Sequence, residues 1–391
     1  MTHQPHSSTL GSALELISEQ GLPGMADAIR VLVNEAMKIQ RADFLEAQPH
    51  ERAESRRGYA NGYKPKTVST RVGEIEFAVP QVRDRIDGER FYPSALEKGI
   101  RSERALKLAV AEMYVQGVST RKVAAITEEL CGVSISSTQV SRAAALLDEE
   151  LDRWRNRELG KCRYLILDAR YEKVRHGGSV VSAAVLIAIG VDEHGRRSIL
   201  GVSVSRSEAE VHWRDFLDSL RTRGLHGLRM IVSDDHAGLR QALSAAFTGV
   251  AWQRCQFHLQ RNAAPRVPKI AMRADVARQL RAIFNAPDQS EAERLLDKLL
   301  ATYESTAPEL AGWARDNVPH GFAVFELPPS HRRCLRTTNM LERINKELLR
   351  RTRVATLFPN DASLLRLVTA VLMEVTEDWE TGRRYLSMDA E

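Results

Sequence analysis

Between residues 161 and 260 the sequence alternates short apolar runs with turn and helix signals in an order that few folds accommodate. Tyr164–Leu167 is an apolar run that ends at Asp168. Val180–Val191 is apolar except for Ser182 and reads as a long buried strand. Asp192–Gly195 is a turn, and Ser198–Val204 a third strand. Glu208–Arg221 places Val211, Phe216, Leu217 and Leu220 on one face of a helix. Met230–Val232 is a fourth strand ending at Ser233-Asp234-Asp235, His236–Phe247 a second helix, and Val250–Cys255 a fifth strand. The predicted order is β-β-β-α-β-α-β.

Hairpins first and crossovers after is the order of a ribonuclease-H-like α/β fold, an architecture that does not by itself fix function. Residues 160–260 form the first part of this core. Residues 258–330 read as almost wholly helical, so 261–335 is assigned as a helical insertion. Residues 339–351, a strongly basic helix, and 361–379, another helix, place the completion of the core in 336–391. Upstream, residues 1–11 are polar and read as loose, and 12–47 as helical, giving an N-terminal helical region over 1–50. Residues 51–100 hold a basic loop, RRGYANGYKPK at Arg56–Lys66, then strands at Thr67–Arg71 and Ile75–Val82 about a Gly73-Glu74 turn. Residues 101–155 predict three helices. Ser119 or Thr120 caps the second, Gly132 ends it, and Ser136 or Ser137 caps the third. This spacing is that of a DNA-binding helix-turn-helix or of an ordinary helical hairpin.

A chain of 391 residues exceeds one ordinary core and implies two or three domains or a core with insertions. The net charge is only +5, but cations cluster. Arg52–Arg71 holds six Lys/Arg against Glu54, and Arg332–Arg353 holds eight against Glu342 and Glu347. Such clusters suit a phosphate-binding surface, or simply a solvated one. The DNA-contact candidates are Arg56, Arg57, Lys64, Lys66, Arg121, Lys122, Arg142, Arg350, Arg351 and Arg353. The four cysteines are scattered, with no disulfide framework. No apolar run reaches the roughly 20 residues of a membrane helix. A soluble cytoplasmic protein, nucleoid-associated when bound to DNA, is expected. There is no GxxxxGK phosphate loop.

Three acids carry candidate chemistry. Asp168 and Asp234 follow apolar strands, where two carboxylates can converge, and Glu342 lies in RTTNMLERINKELLRRTRV. On that helix Leu341, Ile344 and Leu348 form an apolar stripe, with Asn339, Glu342, Asn345 and Lys346 on the adjacent face. Phosphodiester chemistry uses two divalent ions roughly 4 Å apart, held by hard oxygen ligands. Each acid also has a purely structural reading. Asp168 is then a polar strand-end residue, Asp234 or Asp235 the N-cap of the following helix, and Asn339 with Glu342 a capping box.

The segments LDARYEKVR, VSDDHAGLRQAL, CQFHLQRN, TTNMLERINKELLRRTRV and FPNDASLLRLV, in this order, resemble the Mutator-type transposases of bacterial insertion sequences. RRGYANGYKPKTVSTRVGEIEFAVPQVRD resembles them as well, so the likeness spans about residues 50–388. The resemblance implies a DDE triad at Asp168, Asp234 and Glu342 on a ribonuclease-H-like fold. It also implies a helical insertion in the 108-residue interval (342 − 234) and two Mg²⁺ ions, replaceable by Mn²⁺. Asp235 stands where the family more often has Gly, which leaves Asp234 and Asp235 both open as the second ligand. Cys255 and His258 match the family's C-x-x-H signature. No zinc site is expected, because two further ligands at suitable spacing are lacking, although His331 and Cys334 share the interval. A structural or supporting role near the carboxylates is expected for Cys255, His258 and Asn339.

The resemblance implies terminal inverted repeats and target DNA as partners, metal-dependent hydrolysis followed by strand transfer, and a homodimer on DNA. A non-catalytic DNA-binding regulator and a nuclease of the same fold are the competing readings.

Overall fold

The computed structural model describes residues 5–83, 90–99, 102–352 and 357–388. They fall into two compact units, Met1–Leu146 and Leu147–Glu391.

In the first unit, helices α1 (Pro5–Gln20) and α2 (Met25–Leu45) replace the single helix expected over 12–47. Gly21, at φ 65°, breaks them apart, a left-handed conformation that glycine adopts readily. The expected loose start is helical from Pro5. Strands β1 (Ala60–Thr70) and β2 (Gly73–Val82) form a hairpin, so most of the basic segment assigned to a loop is strand. Two features of the pairing make this possible. The register shifts between Ala60 and Tyr63, where Gly62 takes φ 68°, and a two-stranded hairpin leaves edge positions that tolerate Pro65. Ile75, Phe77 and Val79 alternate inward against Met37 of α2.

Three helices follow: α3 (Arg104–Val115), α4 (Thr120–Cys131) and α5 (Ser137–Ala144). The Ser119 hydroxyl accepts the Lys122 N–H, Gly132 ends α4 in the left-handed region, and Ser136 forms a capping box with Gln139. Leu106, Val110, Val123, Val133 and Val140 form the core of the triad of helices.

The second unit begins with α6 (Asp148–Arg155) and contains a five-stranded sheet. Its strands are β3 (Cys162–His176), β4 (Ser179–Asp192), β5 (Arg197–Ser205), β6 (Met230–Ser233) and β7 (Ala251–Arg254), in the spatial order β5-β4-β3-β6-β7. The first three pair antiparallel, and β3, β6 and β7 run parallel. Parallel neighbours need crossovers, here α7 (Glu210–Thr222) and α8 (Ala237–Ala246). These helices cover one face through Leu165, Leu167, Trp213, Leu217 and Leu239.

The rest of the chain divides between an all-helical layer and the other face of the sheet. Helices α9 (Gln256–Ala263), α10 (Ile270–Phe284), α11 (Gln289–Tyr303) and α12 (Pro308–Asn317) share a separate core around Leu280, Leu299 and Leu310. The short α13 (Pro329–Leu335) leads to α14 (Asn339–Thr352) and α15 (Asp361–Thr381). Leu341, Ile344, Leu348, Leu367 and Val371 close the second face over Tyr164, Ile166, Val185 and Ile187. No helix among the described residues is long and apolar enough to cross a membrane.

Candidate active site

Asp168 was expected where β3 ends, but the strand continues to His176, paired with β4 throughout. What ends near Asp168 is the parallel neighbour: β6 pairs with β3 only from Tyr164 to Ile166. Asp168 therefore sits just beyond the parallel part of the sheet. Side chains alternate along a strand, so Asp168, Arg170 and Glu172 share the face of Tyr164 and Ile166 that α14 covers.

All three residues tie β3 to α14. The Asn345 amide Nδ2 donates to Asp168 Oδ2 at 3.2 Å. Arg170 donates to the Asn345 carbonyl and ion-pairs with Glu172. The Thr352 hydroxyl donates to Glu172 at 3.1 Å. Glu342 lies three residues before Asn345, one turn away on the same side of α14. The proposed capping box is absent. Thr338 O accepts the Glu342 N–H at 3.2 Å, which makes Thr338 the cap residue, and exposed Asn339 is the first residue of the helix.

Asp234 follows β6 directly. Its Oδ1 accepts the Asp235 N–H at 2.7 Å, and its Oδ2 lies 3.7 Å from His258 Nδ1. Asp235 caps nothing, because His236 occupies the N-cap of α8 without a side-chain bond. Instead it ion-pairs with buried Arg254 at 2.8 Å, and Arg254 also donates to Asn317 of α12 at 2.6 Å. Asp235 is thus committed to a structural pair, while Asp234 faces His258.

The electrostatics single out Asp168. Burial pushes its carboxyl up to about 6, with further push from Asp234 and Glu208 and opposing pull from His258 and the Ala169 N–H. Burial depresses His258, but the Cys255 thiol, Asp234 and Asp168 outweigh it, and the net shift is upward. The Cys255 thiol is raised by burial and lowered further by His258 and Thr338, for a net fall. Thr338 N–H and Oγ1–H approach Cys255 Sγ at 3.3 and 3.4 Å, so Cys255 and His258 join the start of α14 to the carboxylate pair.

Glu208 gave no signal in the sequence, since SRSEAEV has neither strand nor motif character. It is held near the site because Gly238 lets the chain approach. A Cβ there would stand 2.4 Å from the Glu208 carbonyl oxygen.

The residues suit a hard cation in kind. Asp168 is a part-buried carboxylate that feels the charge of a second, Asp234, and the Asn345 Oδ1 next to it is a buried oxygen without a hydrogen-bond partner. The set is not assembled, however: among the described residues no three of His, Cys, Asp and Glu are grouped to hold a metal ion. His331, which shares the spacing of the Cys255 and His258 pair, has both ring nitrogens engaged, by Tyr164 Oη at 3.0 Å and the Ser387 carbonyl at 2.7 Å.

The basic candidates separate by environment. Lys64, Arg121, Lys122 and Arg142 are exposed. Arg57 pairs with Glu46, and Arg350 with Glu347. Three others bind their own fold. Arg56 donates to the Glu51 and Gly58 carbonyls, Lys66 donates to Tyr92 and the Glu97 carbonyl, and Arg351, only 6% exposed, holds Glu347 and Glu374. Arg351 is a correction: it extends the buried stripe of Ile344 and Leu348, so its guanidinium is not on a surface. Arg353 lies outside the described residues. Of the remaining cations in the 332–353 cluster, Arg332 donates to three backbone carbonyls and Arg336 to Asn285.

A family model described as "Transposase, Mutator family" matches residues 2–382. The transposase for insertion sequence element IS406 of Burkholderia multivorans is 55% identical over 391 residues, covering 100% of each chain. The transposase for ISRM5 of Rhizobium meliloti is 43% identical over 382 residues, 97% of this chain and 95% of that one. The transposase for IS256 in transposon Tn4001 of Staphylococcus aureus is 36% identical over 366 residues, 92% of both.

Proposed function

The chain belongs to the Mutator family of transposases, and from that premise we propose that it cuts and rejoins DNA at the terminal inverted repeats of an insertion sequence through Asp168, Asp234 and Glu342. The observation that carries this reading is the placement of part-buried Asp168, within the electrostatic reach of Asp234, just beyond the parallel part of the sheet and beneath the helix that bears Glu342. The sheet order, with its antiparallel hairpins and parallel crossovers, supports a ribonuclease-H-like core. Two Mg²⁺ ions, or Mn²⁺, would activate the attacking oxygen and stabilise the leaving one. Asp168 and Asp234 would hold them, with Glu342 brought in from α14 when DNA binds. Asn345 orients Asp168, and His258 stands beside Asp234. Hydrolysis frees a 3′-hydroxyl, which then attacks a second phosphodiester, so no serine or tyrosine nucleophile is required.

The test is incubation with DNA from the flanks of the gene and Mg²⁺. Nicking plus strand transfer is expected. Nicking without transfer would indicate a nuclease, and binding without nicking a regulator.

We assign end recognition to residues 101–155 with help from the β1–β2 hairpin. The exposed Arg121, Lys122 and Arg142 on α4 and α5 suit phosphate and base contacts. Replacing all three with Ala is expected to weaken terminal-repeat binding by at least about 10²-fold, measured against competitor DNA. Unchanged specificity would remove these helices from the interface.

Two ends and one triad per chain require at least two chains, and a two-fold dimer places inverted repeats equivalently. Mixing a Glu342→Ala chain with one carrying the triple Ala change should restore part of the activity. Active end complexes that sediment with a single chain would contradict the dimer.

A further inference from the structure

Four of the eight cations in Arg332–Arg353, namely Arg332, Arg336, Arg350 and Arg351, are engaged within the fold, and another segment carries charge that the fold leaves unused. From Gln256 to Ala274 there is no acid, and Arg261, Arg266, Lys269 and Arg273 are all exposed. Among the described residues none of the four makes an ion pair, and Arg266 only lies over the Trp313 ring, 5.8 Å from its centroid. The next acid, Asp275, is already engaged by Arg278, Gln279 and Tyr303.

The segment is also well held. Arg261 lies in the last turn of α9, the helix that carries His258. Arg261 follows His258 by three positions, roughly 4.5 Å along the axis, so the charge begins within one helical turn of the residue that faces Asp234. Between α9 and α10, Pro265 and Pro268 limit the backbone, and Val267 is buried in the helical core. Lys269 and Arg273 then stand one turn apart at the start of α10.

We propose that Arg261, Arg266, Lys269 and Arg273 form a phosphate track that holds the DNA backbone as it leaves the catalytic carboxylates. The inference rests on the DNA-cleaving reading above, and it gives the helical insertion a role of its own. Four unpaired cations on a fixed edge, next to residues that would act on a phosphodiester, match a polyanion whose charges repeat along a line. The side chains are exposed, so their removal should leave stability unchanged.

The test uses the full chain with Arg261→Ala, Lys269→Ala and Arg273→Ala combined, and duplex DNA from the flanks of the gene. Each phosphate contact contributes about 0.9 to the slope of log affinity against log salt, so the triple variant should lose about 2.7 from that slope. The corresponding Lys-for-Arg variant, Arg261→Lys with Arg273→Lys, should keep the wild-type slope, which a folding defect would not allow. A triple variant with the wild-type slope overturns the track while leaving the transposase reading intact. A wild-type protein that neither binds nor nicks the DNA overturns the transposase reading, and the track with it.

Discussion

Asp168→Asn is expected to reduce strand cleavage by about 10³-fold and at the same time to make the metal-free protein more stable at pH 8. The first effect follows from losing several kcal/mol of charge stabilisation when a carboxylate that would hold the metal becomes an amide. The second follows from the upward shift of Asp168 to about 6, caused first by burial and then by Asp234 and Glu208. In the unfolded chain the same group titrates near 3.9. The folded state therefore binds the proton more tightly, and stability falls as pH rises from about 4 through about 6. Two units correspond to about 3 kcal/mol lost by pH 8. Asparagine cannot ionise, so that loss disappears, and melting at pH 8 in chelator should rise by roughly 6–12 °C for a unit of this size. At pH 4 the two proteins should melt together. Mg²⁺ should stabilise the wild type and not the variant. Equal melting at pH 8, or retained cleavage, would show that Asp168 is not a metal ligand whose ionisation the fold opposes.

Arg254→Met carries the next largest effect. Arg254 is 4% exposed and joins the loop after β6, through Asp235, to α12, through Asn317. Removing Arg254 leaves Asp235, whose side chain is 21% exposed, with only the longer ion pair to Arg240 at 3.5 Å, at a cost of about 1–3 kcal/mol. Asp235 donates its N–H to Asp234, so a loosened Asp235 also frees Asp234 to turn, and cleavage should fall with stability. Combining Arg254→Met with Asp235→Asn should cost less than the sum of the two single changes, because both remove the same ion pair. Strict additivity in urea unfolding would mean that the pair is not coupled.

The five strands and their two crossover helices could be read from periodicity, because apolar alternation and turn residues are local signals. The continuation of β3 past Asp168 could not. ARYEKVRH alternates charged residues, and only pairing with the outer half of β4 makes it a strand. The β1 strand was hidden in the same way, since Gly62 and Pro65 read as breakers until the bulge and the hairpin edge accommodate them. Around the candidate site, the position of Asp234 after β6 and the face of α14 were legible from a strand end and helical spacing, whereas the mid-strand position of Asp168 was not. The role of Asp235 was not, because its partner Arg254 lies a strand and a helix further on. Arg351 could have been recognised as buried, since it continues the stripe of Ile344 and Leu348. Nothing local in the sequence marked Glu208, which is brought to Asp168 by the close approach at Gly238.

The most direct measurement is the structure of the chain bound to terminal DNA with Ca²⁺, which supports ligation while slowing chemistry. Ions ligated by Asp168 and Asp234 are expected, with a Glu342 oxygen at roughly 2.3–2.6 Å from one of them. Ions held without Glu342, while that residue stays apart on α14 in the assembled complex, would contradict the triad.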